Sequence, residues 1–145
     1  MTLRPGERLV IDASIAVKWV VPQPDSDRAE ALLDHPLVAP DLLFAECANV
    51  LWKKVRRGER SKDEADIAAQ TLGQADIAIA STWGHLTPAM AIAVELDHSA
   101  YEALYLSVAL AAELRFVTAV DRLIRKVREG RSRVRHMLVA LSEIA

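Results

Sequence analysis

A chain of 145 residues, 52% of them apolar, can bury the core of one domain and is too apolar to remain disordered. It has no 18-residue apolar run, no leader-type apolar core near its start and only one cysteine, which excludes a membrane helix and an intramolecular disulfide and leads us to expect a soluble, cytoplasmic domain over residues 1–145. The net charge of −2 excludes no partner by itself, but residues 53–62 hold six of the 18 Lys and Arg and residues 122–135 another seven, which suits either two solvated helix faces or basic surface flanking an acidic pocket.

Leu9-Val10-Ile11 reads as a short buried strand, three apolar residues of which two are β-branched. Asp12 ends it, and Ser14 is a candidate N-cap for a helix over 15–20. Ligands of open α/β sheets bind at the carboxyl ends of strands, so Asp12 suits a metal ion as well as a plain turn. Pro22-Gln23-Pro24-Asp25 breaks the chain, and Asp25 or Ser26 caps a helix through Leu33 that His35-Pro36 ends. Leu37-Val38-Ala39 is a second strand. Pro40-Asp41 then opens a long helix over 42–57, basic at its end and stopped by Gly58.

Glu46 is the anomaly of that helix. It sits among Phe44, Ala45, Cys47 and Ala48, where a charge is costly unless paired. Asn49 shares its face. An ion pair with Lys18 or Lys53 accounts for Glu46, and so does a role as a metal-directed carboxylate. Cys47, with no histidine nearby, reads as core filling.

Ser61 and Glu64 form a capping box for a helix through Leu72. Residues 76–83 read as a strand or an extended crossing segment. Leu86-Thr87-Pro88 begins a helix that ends at Leu96, and Asp97-His98-Ser99 interrupts the chain before a helix over 100–111. That helix is apolar nearly all round, so it should be central. Glu102 falls in its first turn. Ser99-x-x-Glu102 matches a second capping box, a strong account of Glu102; the sharper account makes it a third site carboxylate, though a carboxylate bonded to a backbone N–H is a poorer metal ligand. Phe116-Val117-Thr118-Ala119 is a further strand, and Asp121 precedes a basic helix over 122–128. Thr118 and Asp121 thus stand at a strand-to-helix junction like that of Asp12 and Ser14. Residues 137–141 are the last strand. The four histidines have no partner at ligand spacing and read as structural or exposed.

Short strands alternating with helices predict a three-layer α/β/α sandwich around a mostly parallel sheet. Parallel strands put their carboxyl ends on one edge, which makes Asp12 and Asp121 expected neighbours. Helix ends carrying Glu46 and Glu102 then complete the site. Carboxylates crowded together repel unless a cation neutralises them, and a set of hard oxygens favours Mg²⁺ or Mn²⁺ over zinc.

Val10-Ile11-Asp12-Ala13-Ser14, Ala39-Pro40-Asp41 through Glu46, Ala100-Tyr101-Glu102 through Leu106, and Phe116-Val117-Thr118-Ala119 together resemble PIN-domain proteins, and among them the VapC-type toxins of toxin–antitoxin pairs. The resemblance implies a Mg²⁺- or Mn²⁺-dependent endoribonuclease with a small VapB-like antitoxin and a homodimeric state, and no membrane. It matches Asp12 and Glu46 to the family's first two carboxylates and Ser14 and Thr118 to supporting hydroxyls. Glu102 stands where an Asp is usual. Val120 takes the place of a common fourth acid, with Asp121 one residue later. Arg56, Arg57, Arg122 and Arg125 are candidates for RNA phosphates. A catalytically weakened interaction module that keeps the fold is the alternative. A phosphoryl-accepting receiver domain is excluded because Arg8 and Leu9 stand where its acidic pair belongs.

Overall fold

The sheet is built on short apolar strands buried on both faces. In the computed structural model, which describes residues 1–130 and 133–145, every residue of β1 (Leu9–Ile11) and β2 (Leu37–Pro40) is buried. Successive side chains of a strand point to opposite faces, so burial of every residue means that both faces are covered. Three further strands, β3 (Ile77–Ala80), β4 (Arg115–Thr118) and β5 (Leu138–Ala140), complete a five-stranded sheet in the order β3-β2-β1-β4-β5. All four pairings are parallel, with Val10 opposite Val38 on one side and Phe116 on the other. The expected sandwich is therefore present, with a fully parallel sheet. Residues 77–80, left open by the sequence, form an edge strand whose two middle residues are exposed.

The connections are helical: α1 (Ala13–Ala16), α2 (Ser26–Ala31), α3 (Leu42–Arg56), α4 (Lys62–Gly73), α5 (Leu86–Leu96), α6 (Ala100–Ala112) and α7 (Asp121–Glu129). α6 packs on β1, β2 and β4, the central place its apolar surface demands. Its Tyr105 ring lies flat on Phe116 of β4, centroids 5.7 Å apart. Tyr105, Phe116, Ile11, Ile15, Leu43 and Leu106 are among the fully buried residues, each large apolar side chain stabilising by about 1.5–3 kcal/mol. The Ser61–Glu64 capping box is made in both directions. Gly58, at φ +73°, supplies the left-handed residue that ends α3. Cys47 is buried in the core, and burial pushes its thiol up to about 12.

Several local expectations are corrected. The helix expected over 15–20 is one α-turn, α1, followed by a 3₁₀ turn over Val17–Trp19. Ser14 does not cap it: Asp12 holds the N-cap position and Ser14 lies inside the first turn. Asp25 makes no side-chain cap bond on α2 and pairs instead with Lys18 at 2.9 Å. Pro40 ends β2 rather than opening α3, standing opposite Ala80. Ser99 accepts from the Tyr101 backbone N–H, and Glu102 turns to His98, so no second capping box forms. His98 thus has a partner that the sequence reading denied it. Trp19 is partly buried with its Nε1 donating to the Ala29 carbonyl, whereas Trp52 and Trp83 are 53% and 93% exposed. Arg131 of the second basic segment lies outside the described residues. Among the described residues no helix is long and apolar enough to cross a membrane.

Candidate active site

The strand order reverses between β1 and β4, and crevices at such a switch point, beyond the carboxyl ends of the strands, are where α/β sheets bind ligands. Asp12 follows β1 at that point and is only 3% exposed. Its carboxylate is held by hydroxyls alone. Ser14 Oγ donates to Oδ1 and Thr118 Oγ1, at the end of β4, donates to Oδ2, each at 2.5 Å. Ser14 Oγ also accepts from the Ala119 backbone N–H at 2.9 Å, and Thr118 Oγ1 from that of Val120 at 3.1 Å. These bonds lock the two strand ends together around one carboxylate.

Two more acids reach the same place. Glu46, on the half-buried face of α3, accepts a hydrogen bond of 2.5 Å from the Tyr105 hydroxyl. Neither Lys18 nor Lys53 forms an ion pair with it: Lys18 is engaged with Gln23 and Asp25. Glu102, in the first turn of α6, is bonded to His98 Nε2. Asp12, Glu46, Asn49, Glu102, Tyr105 and Val120 line one cleft of about 270 Å³, with Ser14 and Lys53 also on its wall. A wider groove of about 690 Å³ shares Glu102 and Val120 with this cleft and carries Arg122 and His98.

Burial pushes the Asp12 carboxyl up to about 6; the Ser14 and Thr118 hydroxyls oppose the shift, and the charges of Glu102 and Glu46 add to it. The Glu46 carboxyl is raised by burial and by Glu102 and lowered by the Tyr105 bond. The Tyr105 phenol is pushed far above its ordinary range, first by burial and then by Glu46, so it remains a donor. The site therefore gathers three carboxylates, with Lys53 on its wall and His98 bonded to Glu102, and among the described residues neither Asp12 nor Glu46 is in an ion pair.

The structure brings Asp12, Glu46 and Glu102 together, along with Asn49, Ser14 and Thr118. It does not bring Asp121 to the cleft. The helix α7 begins at Asp121, which is turned about 100° from Val120; Val120 faces the cleft and Asp121 is exposed. Arg122 lines the wider groove, whereas Arg56, Arg57 and Arg125 are exposed elsewhere, Arg56 over the Trp52 ring. Two cleft residues, Tyr105 and Lys53, and His98 of the wider groove went unassigned to the site by sequence. Their signal was helical spacing, since Tyr105 and His98 stand at +3 and −4 from Glu102, and Lys53 at +7 from Glu46.

The donor set is chemically right for Mg²⁺ or Mn²⁺, all hard oxygens with no thiolate near the cleft surface. Among the described residues no group of three or more acids, histidines or cysteines closes into a ready-made cage. Mg²⁺ does not need one, because it keeps most of its waters and binds through one or two carboxylates and substrate phosphate. The cleft fits such an ion as an open, partly hydrated site.

Residues 9–130 match the PIN domain family model. A curated relative, Ribonuclease VapC3 of Pyrobaculum aerophilum, is 33% identical over 106 residues, covering 70% of this chain and 81% of that protein. Among solved structures, PAE2754 of Pyrobaculum aerophilum is similar with a TM-score of 0.66 and 23% identity, over 83% of this chain and 80% of that one. Mycobacterium tuberculosis VapC20, described as a sarcin-ricin loop cleaving toxin, gives 0.60 and 14%, over 79% and 92%. Rickettsia felis VapBC2, solved bound to a DNA fragment from its promoter, gives 0.63 and 16%, over 92% and 98%. At these identities the solved structures speak for the fold.

Proposed function

This chain belongs to the PIN-domain family, and from that membership we propose that it is a VapC-type toxin: an endoribonuclease that hydrolyses RNA phosphodiester bonds with Mg²⁺ or Mn²⁺ held by Asp12 and Glu46, and by Glu102 directly or through water. The observation that carries the proposal is the convergence of these carboxylates, from three distant stretches of chain, on one cleft with Asp12 buried at its floor. Such an arrangement is unfavourable unless a cation or a cationic partner uses it.

The chain's own residues divide the work. Ser14 and Thr118 fix both oxygens of Asp12, so its orientation is set before anything binds. Glu46 from α3 and Glu102 from α6 offer further oxygens. A bound Mg²⁺ or Mn²⁺ supplies a water of lowered pKa and charge for the leaving oxygen. Asn49 and Lys53 on the wall, and Arg122 in the adjoining groove, are placed to hold phosphate oxygens of the strand. Arg56, Arg57 and Arg125 line neither the cleft nor the groove and would reach only phosphates farther along the strand. A strand must bend to enter an acidic cleft of about 270 Å³, which favours single-stranded or looped RNA. Asp121 stands outside the cleft, and it contributes only through water or RNA.

The relative's name and the VapBC2 complex support a VapB-like antitoxin as partner. A homodimer also belongs to the proposal. The outer face of α5 exposes Leu86, Met90 and Val94 beside Trp83, with no charged residue between 86 and 94, so two copies meet there without like-charge repulsion.

A second reading has an observation of its own. Glu102 and Val120 stand where the family resemblance leads one to expect an Asp and a further acid, and Asp121 does not replace the latter in the cleft. A weakened nuclease acting as an interaction module is consistent with that. Expression of the wild type and of Asp12→Ala without antitoxin separates the readings. We expect growth arrest and EDTA-sensitive RNA cleavage from the wild type alone. Equal cleavage by Asp12→Ala removes the proposed site, and no cleavage by either favours the module.

A further inference from the structure

Glu46 receives one side-chain hydrogen bond, where Asp12 receives two. It lies in the second turn of the 15-residue helix α3, its side chain has several rotamers, and no cation is among the groups acting on it. One bond singles out an orientation. The Tyr105 hydroxyl donates to Oε1 of Glu46 at 2.5 Å, across 59 residues of sequence. The donor itself is rigid: Tyr105 is fully buried, its ring is stacked on Phe116 within 9° of parallel, and it stands one turn after Glu102 on α6. A carboxylate oxygen fixed by a single O–H keeps a second lone pair, and the other oxygen keeps both of its own.

We propose that Tyr105 is a positioning residue for the cleft: its hydroxyl holds Glu46 in the rotamer that shares a divalent cation with Asp12. The proposal rests on the metal-site reading and assigns a residue that reading did not include. Tyr105 acts through Glu46 and touches neither RNA nor the reacting phosphorus. It does for Glu46 what Ser14 and Thr118 do for Asp12, with the difference that the donor comes from the core and not from the strand ends. Because the same helix carries Glu102, α6 sets the spacing of two of the three acids at once.

A bland account competes with this one. A buried phenol needs an acceptor, and Glu46 is the nearest, in which case the bond serves stability alone. The two accounts part in a metal titration. Tyr105→Phe keeps the ring and its stacking on Phe116 and deletes only the hydroxyl. The test follows thermal unfolding of the full chain against Mn²⁺ concentration, together with RNA cleavage at saturating and limiting Mn²⁺. A positioning role predicts that the Mn²⁺ midpoint of Tyr105→Phe rises about 10- to 100-fold, with kcat lower at limiting metal, partial rescue by excess Mn²⁺ and little change in KM for RNA. An unchanged midpoint, with only the metal-free melting temperature moved, overturns the role of Tyr105 while leaving the metal site standing. No Mn²⁺ response from the wild type overturns the metal reading itself, and this proposal with it. Should Tyr105→Phe not fold, the Tyr101→Phe background leaves Tyr105 as the only tyrosine of the two in the chain. Its near-ultraviolet difference signal must then saturate with the Mn²⁺ midpoint, and a flat signal contradicts the proposal.

Discussion

The strand pair β1 and β4 carries a buried acid at each end, and the two are treated in opposite ways. At the amino end, Glu7 precedes β1 and meets Arg115, the first residue of β4, through two bonds of 2.7 Å, with a third of 3.0 Å from the Arg4 backbone N–H. The Arg115 hydrogen bonds hold the Glu7 carboxyl well below its ordinary range, at about 2. At the carboxyl end, Asp12 follows β1 and meets Thr118, the last residue of β4, and receives only hydroxyls. Burial and two neighbouring carboxylates push it up to about 6. The chain thus knows how to neutralise a buried acid and does so 5 residues away from a site where it does not. The difference teaches that the charge at Asp12 is kept for something other than stability, as functional sites are.

The largest effect should come from Asp12→Asn. RNA cleavage is expected to fall about 100-fold or more, measured on a defined RNA, because removing a carboxylate removes an anchor of the metal. Stability should move the other way. A carboxyl whose folded pKa is raised from 3.8 to about 6 contributes stability below pH 3.8 and loses it as pH rises through about 6. In EDTA at pH 8, Asp12→Asn should therefore be more stable than the wild type by about 1–2 kcal/mol in urea unfolding, and that gain should vanish near pH 4. A loss of stability at pH 8 would erase the contrast between the two ends.

Glu7→Gln should show the mirror behaviour. Leaving Arg115 with a neutral partner should cost about 2 kcal/mol at pH 7, with cleavage within about 2-fold of wild type. Its depressed pKa places that contribution above pH 4.5 and removes it as pH falls toward about 2, so the cost of the substitution should shrink over that acid window. Loss of cleavage by a folded Glu7→Gln would mean that the amino end also serves the reaction. The smallest effect sharpens the boundary of the site. Asp121→Asn, exposed and off the cleft, should change cleavage by less than about 3-fold at saturating Mg²⁺, and a drop beyond about 10-fold would return Asp121 to the metal set.

The same two ends show how much was legible beforehand. Three apolar residues before Asp12, and the strand–helix alternation after it, were enough for the layers and the sheet, because fully buried strands leave a compositional mark. Asp12 stood out at the end of an apolar strand, Glu46 as a charge among apolar neighbours, and Glu102 through the family resemblance. Their partners did not stand out. Thr118 was placed beside the site by its strand end, but a buried tyrosine in an apolar helix such as Tyr105 looks like core until the fold brings Glu46 to it. Glu102 satisfied a capping pattern in sequence and was claimed by His98 in the fold, since a side-chain imidazole competes with a backbone N–H that the pattern cannot weigh. Asp121 stood one residue past the position that Val120 takes, and whether it reached the cleft depended on where the helix began, a boundary that sequence defines poorly.

The most direct measurement is Mn²⁺ binding by the metal-free protein, followed by electron paramagnetic resonance in the wild type and in Asp12→Asn, Glu46→Gln and Glu102→Gln. We predict that the wild type takes up Mn²⁺, that Asp12→Asn abolishes uptake, and that each of the other two weakens it. Uptake that survives Asp12→Asn unchanged, or RNA cleavage by a wild type that takes up no Mn²⁺, would contradict a shared ion at the carboxyl end of β1.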